Sequence, residues 1–230
     1  MSYEIKQDGK FKYVEEGNGE ILILLHGLFG ALSNFGDLIE YFRRQYKVVV
    51  PMLPLLELDL LHTSVGGIEK FVHKFIEHKS YTNIHLLGNS LGGHVALLYI
   101  LKHPENIKSL ILTGSSGLFE SGMGDTYPKR GDYEYIRAKT ELTFYDPKVA
   151  TKELVDEVFE ITTNRLKVIK IIALAKSAIR NNLGEELNEI KQPTLLVWGN
   201  NDTITPPFVG REVNRLIPNS ELHFIDKCGH

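Results

Sequence analysis

The run Gly88-Asn89-Ser90-Leu91-Gly92 follows a short apolar stretch and leads straight into residues with helical spacing. A serine between strand and helix, with glycine two places before and two places after, fits a turn too tight for side chains on its flanks. Such a turn strains its central residue. It also exposes the Ser90 hydroxyl at the start of a helix, where the dipole and free N–H groups favour developing negative charge. The pattern fixes only three positions, so a packing junction or a phosphate-binding turn would be spelled the same way. The strand before and the helix after favour nucleophilic chemistry at Ser90.

A serine nucleophile needs a base, and the base needs an orienting carboxylate, expected here in the order Ser, then Asp or Glu, then His. Asp202 lies just past the apolar run "TLLVW", in "GNNDTITPP". Read blandly, it is a turn or capping aspartate before Pro206-Pro207. His230 closes "HFIDKCGH". Alone, a terminal histidine is a solvated end; order, spacing and topology make it the candidate base. His94, one turn beyond Ser90, is the rival and reads as a structural residue beneath the turn. His26 ends another apolar run, in "ILILLHGLFG", and is expected to hold its loop by hydrogen bonds to backbone. Cys228 follows no such turn and reads as a small buried residue. Acyl transfer builds an oxyanion that needs two donors. The Leu91 amide is one; the Leu28 amide is the second, with Phe29 as its competitor.

These residues need a scaffold that brings them to one rim. Five apolar runs, starting at Ile21, Lys47, Ile84, Leu110 and Thr194, do not alternate with polar residues, as expected of parallel strands buried on both faces. Helical spacing separates them: one segment opens at Ser33 as N-cap, one near Ser64, and one follows Ser90. Alternation of this kind means βαβ units and an α/β fold. The opening residues alternate instead and predict an edge hairpin turning near Asp8-Gly9. A last helix, "PPFVGREVNRLIPN", precedes a last strand, "ELHFID". Residues 117–189 break the rhythm with a Gly-, Tyr- and Pro-rich loop and then helical patterns, one capped by Thr151. They read as a helical insertion, with 1–116 and 190–230 forming the core.

The chain has 230 residues, 43% of them hydrophobic, with a net charge of −3 and a pI near 6.3. That suits one globular domain with an insertion and argues against a nucleic-acid partner. One cysteine excludes an internal disulfide and fits a reducing compartment. No apolar run is long enough for a membrane span, and the polar opening segment does not look like a signal peptide. The expectation is a soluble cytoplasmic protein of undetermined oligomeric state.

With "HGLFG", "GNSLGG", "WGNND" and "CGH" in this order, the chain resembles the α/β-hydrolase superfamily over nearly its whole length. The resemblance implies a mostly parallel, doubly wound sheet with residues 117–189 as a helical cap. It implies a serine hydrolase in which Ser90 attacks, His230 carries the proton, Asp202 orients the imidazole, and the Leu28 and Leu91 amides hold the oxyanion, with no metal or organic cofactor. Two departures stand out. "PMLPLLELDLLHT" lacks the glycines many relatives carry after the fourth strand. Relatives also continue past the histidine with a final helix, so a shortened chain is expected; were it whole, weak stability and poor turnover would follow. The leading expectation is a carboxylesterase for small to medium esters, with Phe119, Tyr127, Tyr133, Tyr135, Ile136 and Phe144 as candidates for the acyl pocket. The alternatives are a carbon–carbon bond hydrolase of ring-cleavage diketones, with Arg130, Arg137 or Arg180 meeting a substrate carboxylate, and a non-catalytic receptor on the same fold.

Overall fold

Each apolar run becomes a strand in the computed structural model, which describes residues 3–29, 35–119 and 131–230. In chain order the strands are β1 (Lys6–Asp8), β2 (Phe11–Glu16), β3 (Glu20–Leu25), β4 (Tyr46–Pro51), β5 (Ile84–Asn89), β6 (Ile107–Thr113), β7 (Thr194–Gly199) and β8 (Ser220–Ile225). They form one sheet in the order β1-β2-β4-β3-β5-β6-β7-β8. The β1–β2 hairpin is antiparallel, and β2 meets β4 antiparallel; every other pairing is parallel. The connection after β3 leads to β4 on one side, while β5 lies on the other. The order therefore reverses between β3 and β5, and a crevice opens at their carboxyl ends, where sheets of this kind seat ligands. In register, Leu25 pairs with Gly88 and Asn89 with Thr113, so the residues after β3, β5 and β6 emerge side by side.

Burial follows the pleat. Leu22 and Leu24 of β3 and Val48 and Val50 of β4 pack with Phe35 and Ile39 on the face covered by α1 (Gly36–Phe42). Ile23, Leu25, Val49 and Leu86 point the other way, into the larger core. There they meet α2 (Val65–Lys79), α3 (Leu91–Lys102) and α7 (Pro207–Leu216). Ser64 caps α2 as its spelling predicts, its hydroxyl accepting from the Gly67 amide at 3.0 Å. α1 is shorter than its pattern suggests and has no side-chain cap; Ser33 lies outside the described residues.

Between β6 and β7 the described residues form α4 (Tyr133–Glu141), α5 (Lys152–Thr163) and α6 (Arg165–Arg180), with no strand among them. Thr151 caps α5 by accepting from the Leu154 amide at 3.3 Å. This segment leans on the sheet layer. Leu174 and Ala178 of α6 belong to the main core, and the Val65 amide donates to Ser177 Oγ at 3.1 Å. Among the described residues no helix is long and apolar enough to cross a membrane.

His94 sits inside α3 with no exposed surface. Its Nε2 meets Asn181 Oδ1 at 3.2 Å, and burial pushes its pKa down to about 4. The folded protein thus holds it neutral, while the unfolded chain binds a proton near pH 6.5. Stability from this group is complete above that value, is lost as the pH falls toward 4, and is constant below. A urea titration across this range should show a loss approaching roughly 3 kcal/mol, to which buried His26 adds with the same sign. His94→Asn should flatten the profile; an unchanged slope would refute this account.

Candidate active site

The turn from β5 into α3 is set by contact. A Cβ added at Gly88 would lie 2.5 Å from the Gly92 carbonyl oxygen and the Gly93 Cα, and one at Gly92 would lie 2.1 Å from the Leu25 carbonyl oxygen. No side chain fits at either position. Ser90 between them takes φ 53° and ψ −120°, a conformation costing on the order of 1–3 kcal/mol for a residue with a side chain. Its surroundings hold it there. The Ser90 amide donates to Thr113 O at 3.1 Å, and the Ser90 carbonyl accepts from the amides of Gly93, His94 and Ser116 at 3.0–3.2 Å. Leu91 is the first residue of α3, so its amide has no acceptor within the helix.

The loop after β3 lies against this turn. A Cβ at Gly27 would sit 3.1 Å from Ser90 Cβ. His26 is buried and fastens the loop. Leu53 N–H donates to its Nε2 at 3.1 Å, which makes Nδ1 the protonated nitrogen, donating to Gly27 O at 2.9 Å. Burial lowers its pKa. Leu28 comes next, partly buried against the core, and Phe29 follows at the edge of the described residues.

On the other side of the crevice, Asp202 is 3% exposed. Its Oδ1 accepts from the amides of Ile204 and Thr205, both at 2.8 Å. Its Oδ2 accepts from Thr205 Oγ1 at 2.9 Å and from His230 Nδ1 at 2.9 Å. With Nδ1 donating, His230 Nε2 is the basic nitrogen; it is buried and has no hydrogen-bond partner. The Ser90 hydroxyl is not hydrogen-bonded to it in this structure. Adjacent residues of β6 and its exit touch both parts: Thr113 O holds the Ser90 amide, while a Cβ at Gly114 would lie 3.1 Å from Asp202 Oδ2 and 3.2 Å from His230 Nδ1. The inserted segment holds the histidine from outside, since the His230 amide donates to Thr143 O at 2.8 Å.

Thr205 is the member that sequence reasoning missed. It has no exposed surface, and its hydroxyl touches both Asp202 and, at 3.3 Å, His230 Nδ1. Its carbonyl accepts from Trp198 Nε1 at 2.7 Å, which ties it to the core. The available signal was a threonine three places after the aspartate, where Asx-type turns close.

Other candidates lie elsewhere. Cys228 is only partly buried, and burial with the nearby Asp202 charge raises its pKa. Tyr133 donates to Asp156 and packs on Phe159, Ile136 is buried, and Phe119 packs on Phe208. Arg137 pairs with Glu134 and Glu141, and Arg180 is exposed. Tyr127 and Arg130 lie outside the described residues. An open cleft of about 730 Å³ runs between the end of α4, with Phe144 and Tyr145, and residues 200–203. Asp202 lines it but Ser90 does not, so a ligand there would not meet the serine. Among the described residues no group of three or more His, Cys, Asp or Glu side chains could hold a metal ion.

Comparison with known proteins gives this geometry a family. A model of the alpha/beta hydrolase fold matches residues 20–142 and 156–230. The chain is 43% identical to a structurally solved alpha/beta hydrolase enzyme from the metagenome of sediments of the Mar Chica lagoon, Morocco, over 99% of this chain and 89% of that one, with a TM-score of 0.81. It is 30% identical to a 2-hydroxy-6-oxononadienedioate/2-hydroxy-6-oxononatrienedioate hydrolase of Burkholderia vietnamiensis, over 98% of this chain and 87% of that protein. It is 25% identical to Lipase 1 of Psychrobacter immobilis, over 100% of this chain and 77% of that protein. Strand order, turn geometry and these matches agree: the chain belongs to the α/β-hydrolase fold family.

Proposed function

We propose that the protein is a serine hydrolase whose nucleophile is Ser90, whose general base is His230 and whose orienting carboxylate is Asp202. The observation that carries this reading is the His230–Asp202 hydrogen bond, which leaves an unpartnered Nε2 at the same sheet rim as the strained serine. Ser90 Oγ attacks the acyl carbon and gives its proton to His230 Nε2. The new oxyanion takes hydrogen bonds from the Leu91 and Leu28 amides. Collapse returns the proton to the leaving alcohol and leaves an acyl-serine. Water, deprotonated by the same imidazole, then releases the acid and restores Ser90. The serine–imidazole hydrogen bond need not be present beforehand, since such bonds often tighten only with substrate in place. Residues 117–189 serve as a cap over this rim.

A carboxylic ester is the favoured substrate, supported by similarity to a lipase. Hydrolysis of a carbon–carbon bond is the second reading, favoured by the higher identity to the Burkholderia vietnamiensis enzyme. Against it, Arg137 is already paired with carboxylates. The single cysteine supports a reducing, cytoplasmic setting.

A fluorophosphonate probe should label the protein, and Ser90→Ala should abolish labelling and cut turnover on the order of 10⁶-fold. Absence of labelling would instead point to a non-catalytic receptor. Turnover of p-nitrophenyl esters, but not of a vinylogous diketone acid, is expected; the reverse preference would overturn the ester assignment.

Thr205 is proposed as a positioning residue that keeps Asp202 and the imidazole aligned. Thr205→Val should lower kcat about tenfold to a hundredfold, the size of a lost hydrogen bond to a charged group, with little change in KM. Thr205→Ser should restore kcat and the pH–rate profile. Equal losses in both variants would mark Thr205 as packing only.

A further inference from the structure

The outer stripe of α6 carries only apolar and cationic side chains. Arg165, Ile169, Ile172, Lys176 and Ile179 recur every three or four residues, with Leu166, Ala173 and Arg180 beside them. That spacing places them along one side of the helix. The opposite stripe, Val168, Ile171, Leu174 and Ala178, is buried. α6 is therefore apolar on two sides, and only one is used by the fold. Leu166 is 68% exposed, Ile179 64% and Ile169 39%. Arg165, Lys176 and Arg180 are exposed, and among the described residues none of them forms an ion pair. The helix has no Asp or Glu, in a chain whose net charge is −3.

A neighbouring loop adds exposed apolar side chains. It is bound to the flank of α6, with Lys170 Nζ donating to Leu56 O and the Val65 amide donating to Ser177 Oγ. Leu60 and Leu61 on this loop are 53% and 92% exposed. Its carboxylates are engaged locally: Glu57 accepts from the Leu56 amide, and Asp59 holds His62. Lys167 points aside to Glu160.

Exposed aliphatic side chains interleaved with unpaired cations suit a surface that is negatively charged outside and apolar beneath. A second copy fits poorly, because a two-fold contact would set the same three cations face to face. Nucleic acid fits poorly too, because aliphatic side chains offer bases nothing to stack on. We infer that the outer face of α6, with Leu60 and Leu61 at its margin, docks on an anionic lipid surface. Arg165, Lys176 and Arg180 meet the head groups, their stems lying along the boundary, while Leu166, Ile169 and Ile179 enter the acyl region. This inference does not rest on the chemistry assigned to Ser90.

The test is co-sedimentation of the full chain with vesicles of phosphatidylcholine alone or mixed with phosphatidylglycerol. Binding is expected only to the mixed vesicles and should weaken as salt rises. Each cation near such a surface is worth about fivefold in affinity. Lys176→Glu/Arg180→Glu should therefore bind at least tenfold more weakly. Leu166→Ser/Ile169→Ser should also lose binding with an unchanged thermal melt, since both side chains are already exposed. Lys12→Glu, at an exposed position of β2, should bind within about fivefold of the parent. Equal binding to both vesicle types, no binding by the parent, or retained binding in the α6 variants would overturn the inference. Lipid-free dimerisation abolished by Ile169→Ser would also overturn it and assign the face to a second copy.

Discussion

Where β5 gives way to α3, the backbone folds tightly onto itself at Gly88 and against the end of β3 at Gly92, so that only glycine fits on either side of Ser90. This close approach fixes much else. It forces Ser90 into a conformation that no helix or strand supplies, and it brings the start of α3 against the loop after β3. The strain is held by four backbone hydrogen bonds, two of them to partners at and just beyond the end of β6. The strained geometry is thus a property of three adjacent strands and cannot be reduced to a five-residue motif. Parallel strands suit this arrangement because their carboxyl ends emerge on one side, at the point where strand order reverses.

The second half of the site obeys a different constraint. Asp202 is buried, and a buried carboxyl group is tolerable only when its oxygens are hydrogen-bonded. Four donors meet it: two amides, the Thr205 hydroxyl and the His230 ring. The amide and hydroxyl donors come from residues within three places along the chain, so a tight turn does most of the satisfying. The remaining donor arrives across the sheet, from the loop after β8. That bond settles which nitrogen of the imidazole is left free.

Much of this was legible in the sequence because steric necessity leaves spelling. Doubly buried strands read as unbroken apolar runs, and the tight turn reads as two glycines around a serine. The side-by-side placement of Asp202 and His230 followed from chain order and strand ends. What stayed hidden depends on partners distant in sequence or on residue types that occur everywhere. Thr205 is a common residue whose role appears only once Asp202 and His230 flank it. The aromatic residues of the insertion gave no hint that Tyr133 would turn to Asp156, or Phe119 to Phe208. α1 ends earlier than its periodicity suggested, since apolar spacing marks a face and not an end.

The bond from the His230 amide to Thr143 O ties the imidazole to a segment that enters and leaves the sheet between two other strands. Gly229 is pressed against the backbone of residues 143–145, so the loop has no slack of its own there. His230 is thus held from two sides, its ring by Asp202 in the turn after β7 and its amide by Thr143 after α4. If the end of α4 shifts, the imidazole shifts with it, because a single peptide group carries the movement from one to the other.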